Sequence, residues 1–490
     1  MIRAEWTKFR SVRGWVAGIV VAFAAILGLG LAGAYGIQQD CMGQICPALP
    51  TGPGGEAVRD KFTYVHQTLD GDGELTAHLA GFSGTITYPP PNHDSIVPGL
   101  VPWAKAGLMV KDGTKEGAAY AAVLMTGHNG VRMQHNFTED KAGPSTAQWL
   151  RLARAGSTVT AYSSTDGAAW ATVGTVTLKN LPTSVNIGFF ATSPSDITSE
   201  ASPRGGTIVQ ARFTQATAVF DHVDRTGAWT LTRVGDTGEQ TDWQKYHQAD
   251  GFTQSNGRLT VTGSGDIAPA GHEGGPTIDF ALTGLTVALI AVIIVGALVI
   301  TGEYRRGLIR TTYTAMPSRG RVLAAKAAVL GAVTFVPALV ATAIAVPLAS
   351  GILRSHHVTL LPASAGTQIR VVVGAALLLS LAAIFAYALG AALKRGTIAI
   401  ALAVVLVVLP YLLATTSLLP PGAGRWLLRL TPAAGFAFQQ ILPAYHQISL
   451  PYTPSDGYYP LAPWAGLGVL AAWAAALLAL AVLRARRSDA

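Results

Sequence analysis

The sequence predicts an α-helical membrane protein of six spans, with an all-β sandwich domain inserted after the first span. Half of the 490 residues are hydrophobic and only 13% are charged, which is too apolar for a wholly soluble chain of this length. Six apolar segments are each long enough to cross a hydrocarbon core about 30 Å thick. Between the first two segments, residues 39–276 differ in composition and show short alternating stretches typical of antiparallel strands.

The net charge of +8 is distributed unevenly along the chain. Residues 40–276 contain 16 Lys and Arg against 22 Asp and Glu, whereas the rest of the chain contains 19 against 5. The basic excess therefore belongs to the segments that flank the apolar runs, and short basic loops stay on the cytoplasmic side of a membrane. We expect a multi-pass plasma-membrane protein with cytoplasmic N- and C-termini, in contact with membrane lipid and without a nucleic acid partner.

Residues 1–38 predict a basic cytoplasmic segment followed by the first transmembrane helix. Basic and aromatic residues alternate over the first 15 positions, so a helix here would have a basic face beside an apolar one. The residues of this predicted interface helix are Glu5, Trp6, Lys8, Arg10 and Arg13. A basic flank that only fixes the topology explains the pattern equally well. The apolar run 16–37 is longer than a signal-peptide core, so we expect an uncleaved span, although its Ala-Gly-Ala sequence resembles a cleavage site.

Residues 39–59 predict a linker with the two cysteines of the chain, Cys41 and Cys46. Outside a membrane they are a candidate disulfide, although the loop between them is short for the required geometry. A zinc site would need further Cys or His ligands nearby, and the acidic turn at residues 70–74 does not have the spacing of a calcium-binding EF-hand loop. We therefore predict no metal site.

Residues 60–223 predict the β-sandwich, because segments with period-2 alternation follow one another with Gly, Asp and Asn turns between them. Residues 224–276 contain two more strand-like segments, AWTLTRV and GRLTVTG. These predict an appended β segment that leads back to the bilayer. The first span begins in the cytoplasm and ends outside the cell. We therefore expect the sandwich, which lies between the first and the second span, to be extracellular.

The order of GLMVKDG, AAYAAVLMTG, QWLRLARAGSTVTAYSSTDGAAW and VNIGFFATS resembles the concanavalin A-like, laminin-G-like jelly-roll family. The resemblance implies a jelly-roll sandwich that binds a glycan or a protein ligand, with Trp149, Asp166 and Trp170 as candidate contacts. A structural role explains the same residues, because Asp166 and Gly167 favour a tight hairpin turn against which Trp170 would pack. Glycan hydrolysis needs converging carboxylates, and no such motif occurs, so we predict no catalytic residues and no enzyme activity.

The second apolar run, residues 280–301, is followed by an abruptly charged loop at residues 302–326. Four further apolar runs follow at residues 322–352, 371–392, 397–418 and 464–483 within the predicted membrane part 277–490. Alternating sides from a cytoplasmic start places the basic loops inside, as expected. The loop 419–463 is rich in Pro and aromatic residues and predicts an outer loop with interfacial or re-entrant helices.

The membrane part resembles the permease subunits of ABC-2 type transporters, in particular bacterial exporters. The resemblance rests on EWTKFRSVR near the N-terminus and on EYRRGLIRTTYTAMPSRGRVLAAK after the second span. It implies a coupling helix that docks on a separate cytosolic ATPase subunit, which would hold the ATP and Mg, and a second, identical or different, permease subunit. The implied coupling residues are Glu303, Tyr304, Arg305, Arg306, Gly307, Arg310, Thr311, Thr312, Pro317, Arg319 and Arg321.

The residues themselves allow two interpretations of this loop. Glu303 and Arg306 are spaced i, i+3, and Leu308 and Ile309 offer apolar anchors for a docked partner. The arginines could also only fix the topology and contact anionic lipid. The chain lacks a Walker A motif, so we expect that it does not bind ATP phosphates in the usual way, has no cofactor of its own and takes its energy from a partner. The alternative function is a membrane-anchored, lectin-like carbohydrate receptor.

Overall fold

The structure is a computed structural model that combines a helical part with large antiparallel β-sheets. The structure describes residues 2–37, 48–88, 95–144, 146–201, 207–236, 250–316, 318–416, 418–448 and 453–487. Such a mixed helical and β architecture is what the sequence predicts.

The described residues contain ten α-helices in chain order. They are α1 (Ile2–Ser11), α2 (Arg13–Gly36), α3 (Leu285–Arg305), α4 (Leu308–Ala315), α5 (Arg319–Ser355), α6 (Ala365–Leu393), α7 (Gly396–Val407), α8 (Leu409–Thr415), α9 (Pro421–Leu430) and α10 (Pro463–Arg487). Short 3-10 helices lie at His272–Gly274, Ile278–Leu282, Pro432–Gln439 and Pro454–Asp456.

Six helical segments of the described chain are long and apolar enough to cross a membrane. They are Arg13–Gly36, Ile278–Arg305, Arg319–Ser355, Ala365–Leu393, Gly396–Thr415 and Pro463–Arg486. Each of them overlaps one of the apolar runs of the sequence. Their compositions make the chain compatible with a membrane protein.

Small residues let the long helices approach each other closely. Gly296 of α3 lies against α6, where a Cβ at position 296 would be 3.0 Å from the carbonyl carbon of Ala383. Gly390 of α6 is similarly close to α3, since a Cβ there would be 2.9 Å from Ile300 Cγ2. Close backbone approach of this kind is the usual way that helices pack when lipid removes the hydrophobic driving force. Large aliphatic side chains lie on the outside of the same helices, among them Val287, Leu298, Val340, Leu348 and Leu402.

Between α9 and α10 the chain returns into the helical part. The 3-10 helix Pro432–Gln439 is buried along its whole length, with Phe436 and Phe438 in the same apolar core as α3 and α6. Irregular backbone of this kind can lie at membrane depth only where protein covers it. Its fully buried position is the arrangement expected of a re-entrant segment.

The described residues of the β part form eighteen strands. They are β1 (Val58–Asp60), β2 (Phe62–Asp70), β3 (Gly73–Thr87), β4 (Ile96–Pro98), β5 (Lys105–Lys111), β6 (Tyr120–Thr126), β7 (Val131–His135), β8 (Glu139–Ala142), β9 (Trp149–Ala155), β10 (Thr158–Ser164), β11 (Ala171–Thr177), β12 (Ser184–Thr192), β13 (Asp196–Ala201), β14 (Thr207–Asp221), β15 (Thr230–Val234), β16 (Gly251–Ser255), β17 (Arg258–Gly263) and β18 (Ile267–Pro269).

Two large antiparallel sheets face each other. One has the order β11-β10-β9-β3-β14-β17-β16, with β13 also paired to β14 and β4 to β3, and the other has the order β15-β2-β12-β5-β6-β7-β8. Alternate residues of facing strands fill the space between them, and Phe189 and Phe220 pack there with ring centroids 4.8 Å apart. This arrangement is a β-sandwich, as the period-2 pattern predicts.

The strands after residue 223 are distributed over all three sheets of the β part. β15 pairs with β2 at the edge of the seven-stranded sheet, and β16 and β17 extend the nine-stranded sheet. β18 forms a two-stranded ribbon with β1. The predicted appended segment 224–276 is thus built into the sandwich. The sequence did not reveal this because hydrogen-bond partners far apart in the chain leave no trace in local periodicity.

The ribbon of β1 and β18 covers the outer face of the seven-stranded sheet. Val58 and Ile267 of the ribbon share an apolar cluster with Phe62, Met109 and Phe190 of the sheet. Because the chain enters the sandwich at β1 and leaves it near β18, the two connections to the helical part are hydrogen-bonded side by side.

Two buried lysines of β5 fasten this ribbon. Lys111 Nζ lies 2.6 Å from Asp60 Oδ2 in β1, and Lys105 Nζ lies 2.9 Å from Asp266 Oδ1 next to β18. Both lysines are 0% exposed, so these ion pairs lie in a low dielectric. Removal of one partner would leave the other as a buried, unpaired charge, which is strongly destabilising. The sandwich also meets the loop before α10, where Gln447 Nε2 donates a hydrogen bond of 2.5 Å to the Phe137 carbonyl oxygen.

Candidate functional site

Four charged side chains from three helices meet at one end of the helical part. Glu5 and Lys8 lie on α1, Glu303 lies in the last turn of α3, and Lys326 lies in the third turn of α5. Lys326 Nζ is 2.8 Å from both carboxylate oxygens of Glu5 and 2.8 Å from Glu303 Oε1. Lys8 Nζ also donates to Glu303 Oε1. We call these four residues the charge cluster.

The charge cluster combines two carboxylates with two ammonium groups. Lys326 and Glu303 are its buried members, and Glu5 and Lys8 are more exposed. The side chains of Lys326 and Glu303 are 1% and 3% exposed, whereas Glu5 is 18% and Lys8 is 31% exposed. Glu303 Oε2 is buried and has no hydrogen-bond partner among the described residues. A buried ion of either sign is costly without its partner, so the four charges hold the ends of α1, α3 and α5 together only as a set.

The N-terminal helix presents its other residues outward. Trp6, Arg10 and Arg13 are exposed, while Phe9 is 5% exposed and belongs to the apolar core of the helices. Phe9 also packs on Trp15 of α2, with ring centroids 5.7 Å apart. The helix thus has one face on the helical part and one face free for a lipid headgroup or a partner.

A short helix, α4, lies between α3 and α5. α3 ends at Arg305, and Gly307 has a left-handed backbone (φ 70°), which lets the chain turn before α4 begins at Leu308. Arg305, Arg306 and Gly307 are exposed. Arg306 follows α3 directly as its C-terminal cap, with its N–H donating to the Gly302 carbonyl oxygen, and Glu303 pairs with Lys8 and Lys326 rather than with Arg306.

The apolar anchors of this segment do not both face outward. Ile309 is 4% exposed and Tyr313, one helical turn later, is 9% exposed, so this side of α4 rests on the helical core. Leu308 is 42% exposed, and Thr311 is also exposed. The prediction that Leu308 and Ile309 together offer a docking surface is therefore wrong for Ile309, because an eight-residue helix needs an inward apolar stripe of its own.

Some of the remaining predicted coupling residues contact neighbouring helices, and others are exposed or lie outside the described residues. Arg319 Nη1 is 2.6 Å from the Ala485 carbonyl oxygen of α10, and its guanidinium lies 5.4 Å from the centre of the Tyr313 ring. Lys394 Nζ lies 5.6 Å from the centre of the Tyr304 ring. Thr312 is half-buried and Arg321 is exposed. Pro317, the side chain of Arg310, Cys41 and Cys46 lie outside the described residues.

A cavity of about 620 Å³ opens beside the turn between α3 and α4. Its lining includes Tyr304, Arg305, Lys394 and Arg395, from the two connections that follow α3 and α6. The three basic side chains give the cavity a positive potential that suits an anionic group, such as an acidic side chain or a lipid phosphate.

Lys326 is the member of the site that the sequence did not single out. It lies at the end of the basic loop, where a lysine is expected simply to favour the cytoplasmic side. One signal was present: Lys326 is followed directly by an uncharged apolar run, and a lysine inside such a run needs a carboxylate partner.

On the sandwich, the three candidate ligand residues lie around one turn. Asp166 Oδ1 accepts hydrogen bonds of 2.9 Å from the N–H groups of Ala168 and Ala169, and these bonds lower the pKa of Asp166 to about 2. The Arg151 guanidinium lies 4.1 Å from the centre of the Trp170 ring. Asp166 therefore orders the turn, as the tight-turn interpretation requires.

Trp149 lies against this turn, at the place where the sequence predicted Trp170. A Cβ on Gly167 would be only 2.8 Å from Trp149 Cε2, and Gly167 has a φ of 75°. The cause is strand register, because β9 and β10 pair Trp149 with Ser164 directly before the turn. The Trp149 ring also contacts two histidines, His78 and His222, with centroid distances of 4.9 and 5.3 Å.

No protein-family model matches the sequence, and no curated protein matches it. Among solved structures, SCP-B, an eqolisin-family peptidase in complex with the tripeptide Ala-Ile-His, is 8% identical, with 43% of this chain and 100% of that chain covered and a TM-score of 0.23. A functionally unknown protein from Saccharomyces cerevisiae is 15% identical, with 40% and 86% covered and a TM-score of 0.17. Similarities this weak carry no conclusion about function.

The fold and the site together are compatible with a membrane protein that carries a large β-sandwich domain. The described part of the chain has six helical segments suited to a membrane, a large antiparallel β-sandwich between the first and the second, and a buried charge cluster at one end of the helices.

Proposed function

We propose that this chain is the membrane-spanning permease subunit of an ATP-binding-cassette exporter of the ABC-2 type. Its six long helical segments would be the spans, with both termini and α4 in the cytoplasm and the β-sandwich outside. A separate cytosolic ATPase subunit would supply the energy, and a second permease subunit would complete the path. In this arrangement most of the basic residues that flank the spans lie on the inner side, which agrees with the rule for short loops.

The charge cluster is the observation that carries this proposal. It joins α1, α3 and α5 within one or two turns of the exposed segment that includes Arg305 and Arg306. A force applied to that segment would therefore reach three helices at once, since the buried ions can separate only at a high cost. A segment that merely fixed topology would not need buried partners.

The transport cycle follows from this connection. When the ATPase closes on ATP, its surface would move α4, and the charge cluster would transmit the movement to the ends of α3 and α5. The path would change from inward to outward access as these helices tilt. The sandwich, fastened through the ribbon of β1 and β18, would stand at the exit, where it would bind a glycan or a protein ligand.

The proposal is tested by co-expressing the chain with candidate cytosolic ATPases and purifying the complex in detergent. The double variant Arg305→Glu/Arg306→Glu should reduce the co-purified ATPase by about tenfold or more, equivalent to about 1.4 kcal/mol of binding free energy. The matched control is Arg354→Glu, an exposed arginine at the opposite end of α5, which should leave the amount unchanged.

Two results would count against the proposal. Equal recovery of the ATPase with the double variant and with the control would show that Arg305 and Arg306 do not contribute to docking. Recovery of a glycan ligand by the intact chain, with no ATPase captured by cross-linking, would instead favour the lectin-like receptor that the sequence left as an alternative.

A further inference from the structure

A second cluster of side chains lies on the sandwich, away from the charge cluster. His78 of β3 and Asp221 of β14 are direct partners in the strand register, and His222 follows Asp221 at the end of β14. Residues 77 and 79 point into the sandwich core, so His78 points to the opposite face of the nine-stranded sheet. The three side chains thus meet on an outer face.

The distances within this cluster are slightly shorter than those between the ligand atoms of a metal site. Asp221 Oδ1 lies 2.8 Å from His78 Nδ1 and 2.9 Å from His222 Nδ1, and one ligand atom from each residue lies within 4.8 Å of the others. In a tetrahedral zinc site, with metal–ligand bonds of about 2.0–2.1 Å, neighbouring ligand atoms are about 3.3 Å apart. Small side-chain rotations would therefore open the cluster enough to admit an ion.

The surroundings hold the ligands in place and leave one side open. The ring of Trp149 packs on both imidazoles, which limits their rotation. Arg258 Nε lies 3.8 Å from Asp221 Oδ2, the oxygen that does not face the histidines. The His222 side chain is 67% exposed, so a water molecule could complete the coordination.

The backbone supports the same conclusion. His222 has a φ of 49°, a left-handed conformation that costs free energy for a residue with a Cβ. This conformation turns the imidazole back toward Asp221 at the point where the chain leaves the nine-stranded sheet for β15. A bound ion would offset this free-energy cost and would hold the end of β14 against β3.

We propose that His78, Asp221 and His222 bind a divalent transition-metal ion such as Zn²⁺. Two imidazoles and one carboxylate are a donor set that suits zinc, copper and nickel better than the oxygen-preferring Mg²⁺ or Ca²⁺. Local sequence could not reveal the site, because His78 and Asp221 are 143 residues apart. The site goes beyond the proposed transport function and does not depend on it.

The test uses the full chain in detergent, purified without a histidine tag. Zn²⁺ affinity is measured by competition with a coloured chelator for the wild type and for His78→Ala, His222→Ala and Asp221→Asn. Each variant should weaken Zn²⁺ binding by about 100-fold or more, since even the partners that orient metal ligands change affinity 10–100-fold. The matched control is His128→Ala, an exposed histidine outside the cluster.

A second measurement locates the ion. Cu²⁺ should quench the fluorescence of Trp149, Zn²⁺ should reverse the quenching, and Trp149→Phe should lose the quenching while keeping the Zn²⁺ affinity. Wild-type affinity in all three cluster variants, or no saturable binding by a folded wild type, would show that the cluster is only a hydrogen-bonded contact between strands.

Discussion

At the scale of single residues, buried charges mark the places where distant parts of this chain are joined. Lys111 meets Asp60 inside the sandwich, and Lys326 meets Glu303 inside the helical part. Burial raises the pKa of Asp60 and lowers the pKa of Lys111, although their mutual attraction opposes both shifts. Such pairs add little to the free energy of unfolding compared with apolar residues of similar size. Removal of one partner lowers it strongly, because the other charge stays buried and unpaired.

We therefore predict that Lys111→Met destabilises the sandwich by about 3–5 kcal/mol, because Asp60 is left buried without a cation. The double variant Asp60→Asn/Lys111→Met should recover most of this loss, since the asparagine can still accept the hydrogen bond from the Gly117 N–H group. Urea unfolding of the full chain in detergent, followed by tryptophan fluorescence, measures both. Equal destabilisation by the single and the double variant would contradict this account of the ion pair.

The sequence named much of the site but not its arrangement. Glu5 and Lys8 were expected in an interface helix and Glu303 in a coupling segment, yet nothing local indicated that Lys8 and Glu303, 295 residues apart, form a contact. Lys326 was attributed to the topology bias. Charge patterns reveal which side of a membrane a residue prefers, whereas ion-pair partners depend on helix packing.

At the scale of elements, α1 depends on the charge cluster for its position. Its backbone cannot hold it in place, because an isolated ten-residue helix is marginal in water. Phe9 and the two charged residues Glu5 and Lys8 provide its described contacts with the rest of the molecule. The helix is therefore the element most sensitive to single substitutions in the cluster.

We predict that Glu5→Gln releases α1 and accelerates tryptic cleavage after Arg10 and Arg13 several-fold. The substitution removes the negative charge that pairs with Lys326 and one of the two acceptor oxygens, and a frayed helix is a better protease substrate than a docked one. Mass spectrometry of the early fragments gives the rate. Arg3→Gln, at an exposed position on the same helix, serves as the control; acceleration by both variants alike would refute the role of the cluster.

Element types were predicted better than element partners. The apolar runs and the alternating segments indicated helices and strands because periodicity and length are local properties. The ribbon of β1 and β18 could not be predicted, since it depends on pairing across a long separation. The position of Trp149 beside Gly167 depends on the exact register of the β9–β10 hairpin, which periodicity does not determine. The same limit explains the predicted boundary at residue 223, which the strand pairing crosses.

At the scale of the whole molecule, the two ends of the helical part have different characters. One end has the charge cluster, α4 and a cavity with three basic residues, and the other end connects to the sandwich through the ribbon and the loop before α10. This polarity follows from the position of the sandwich between the first and second apolar segments. In the transporter that we propose, one end would receive the energy and the other would release the cargo.

The central claim, that energy enters from the cytoplasm at the segment beside the charge cluster, is tested most directly by cysteine accessibility in intact cells. In a Cys41→Ser/Cys46→Ser background, Arg306→Cys and Lys179→Cys place single thiols at exposed positions on α3–α4 and on the sandwich. We predict that a membrane-impermeant maleimide labels position 179 in intact cells and labels position 306 only after permeabilisation. Labelling of position 306 in intact cells would contradict the account.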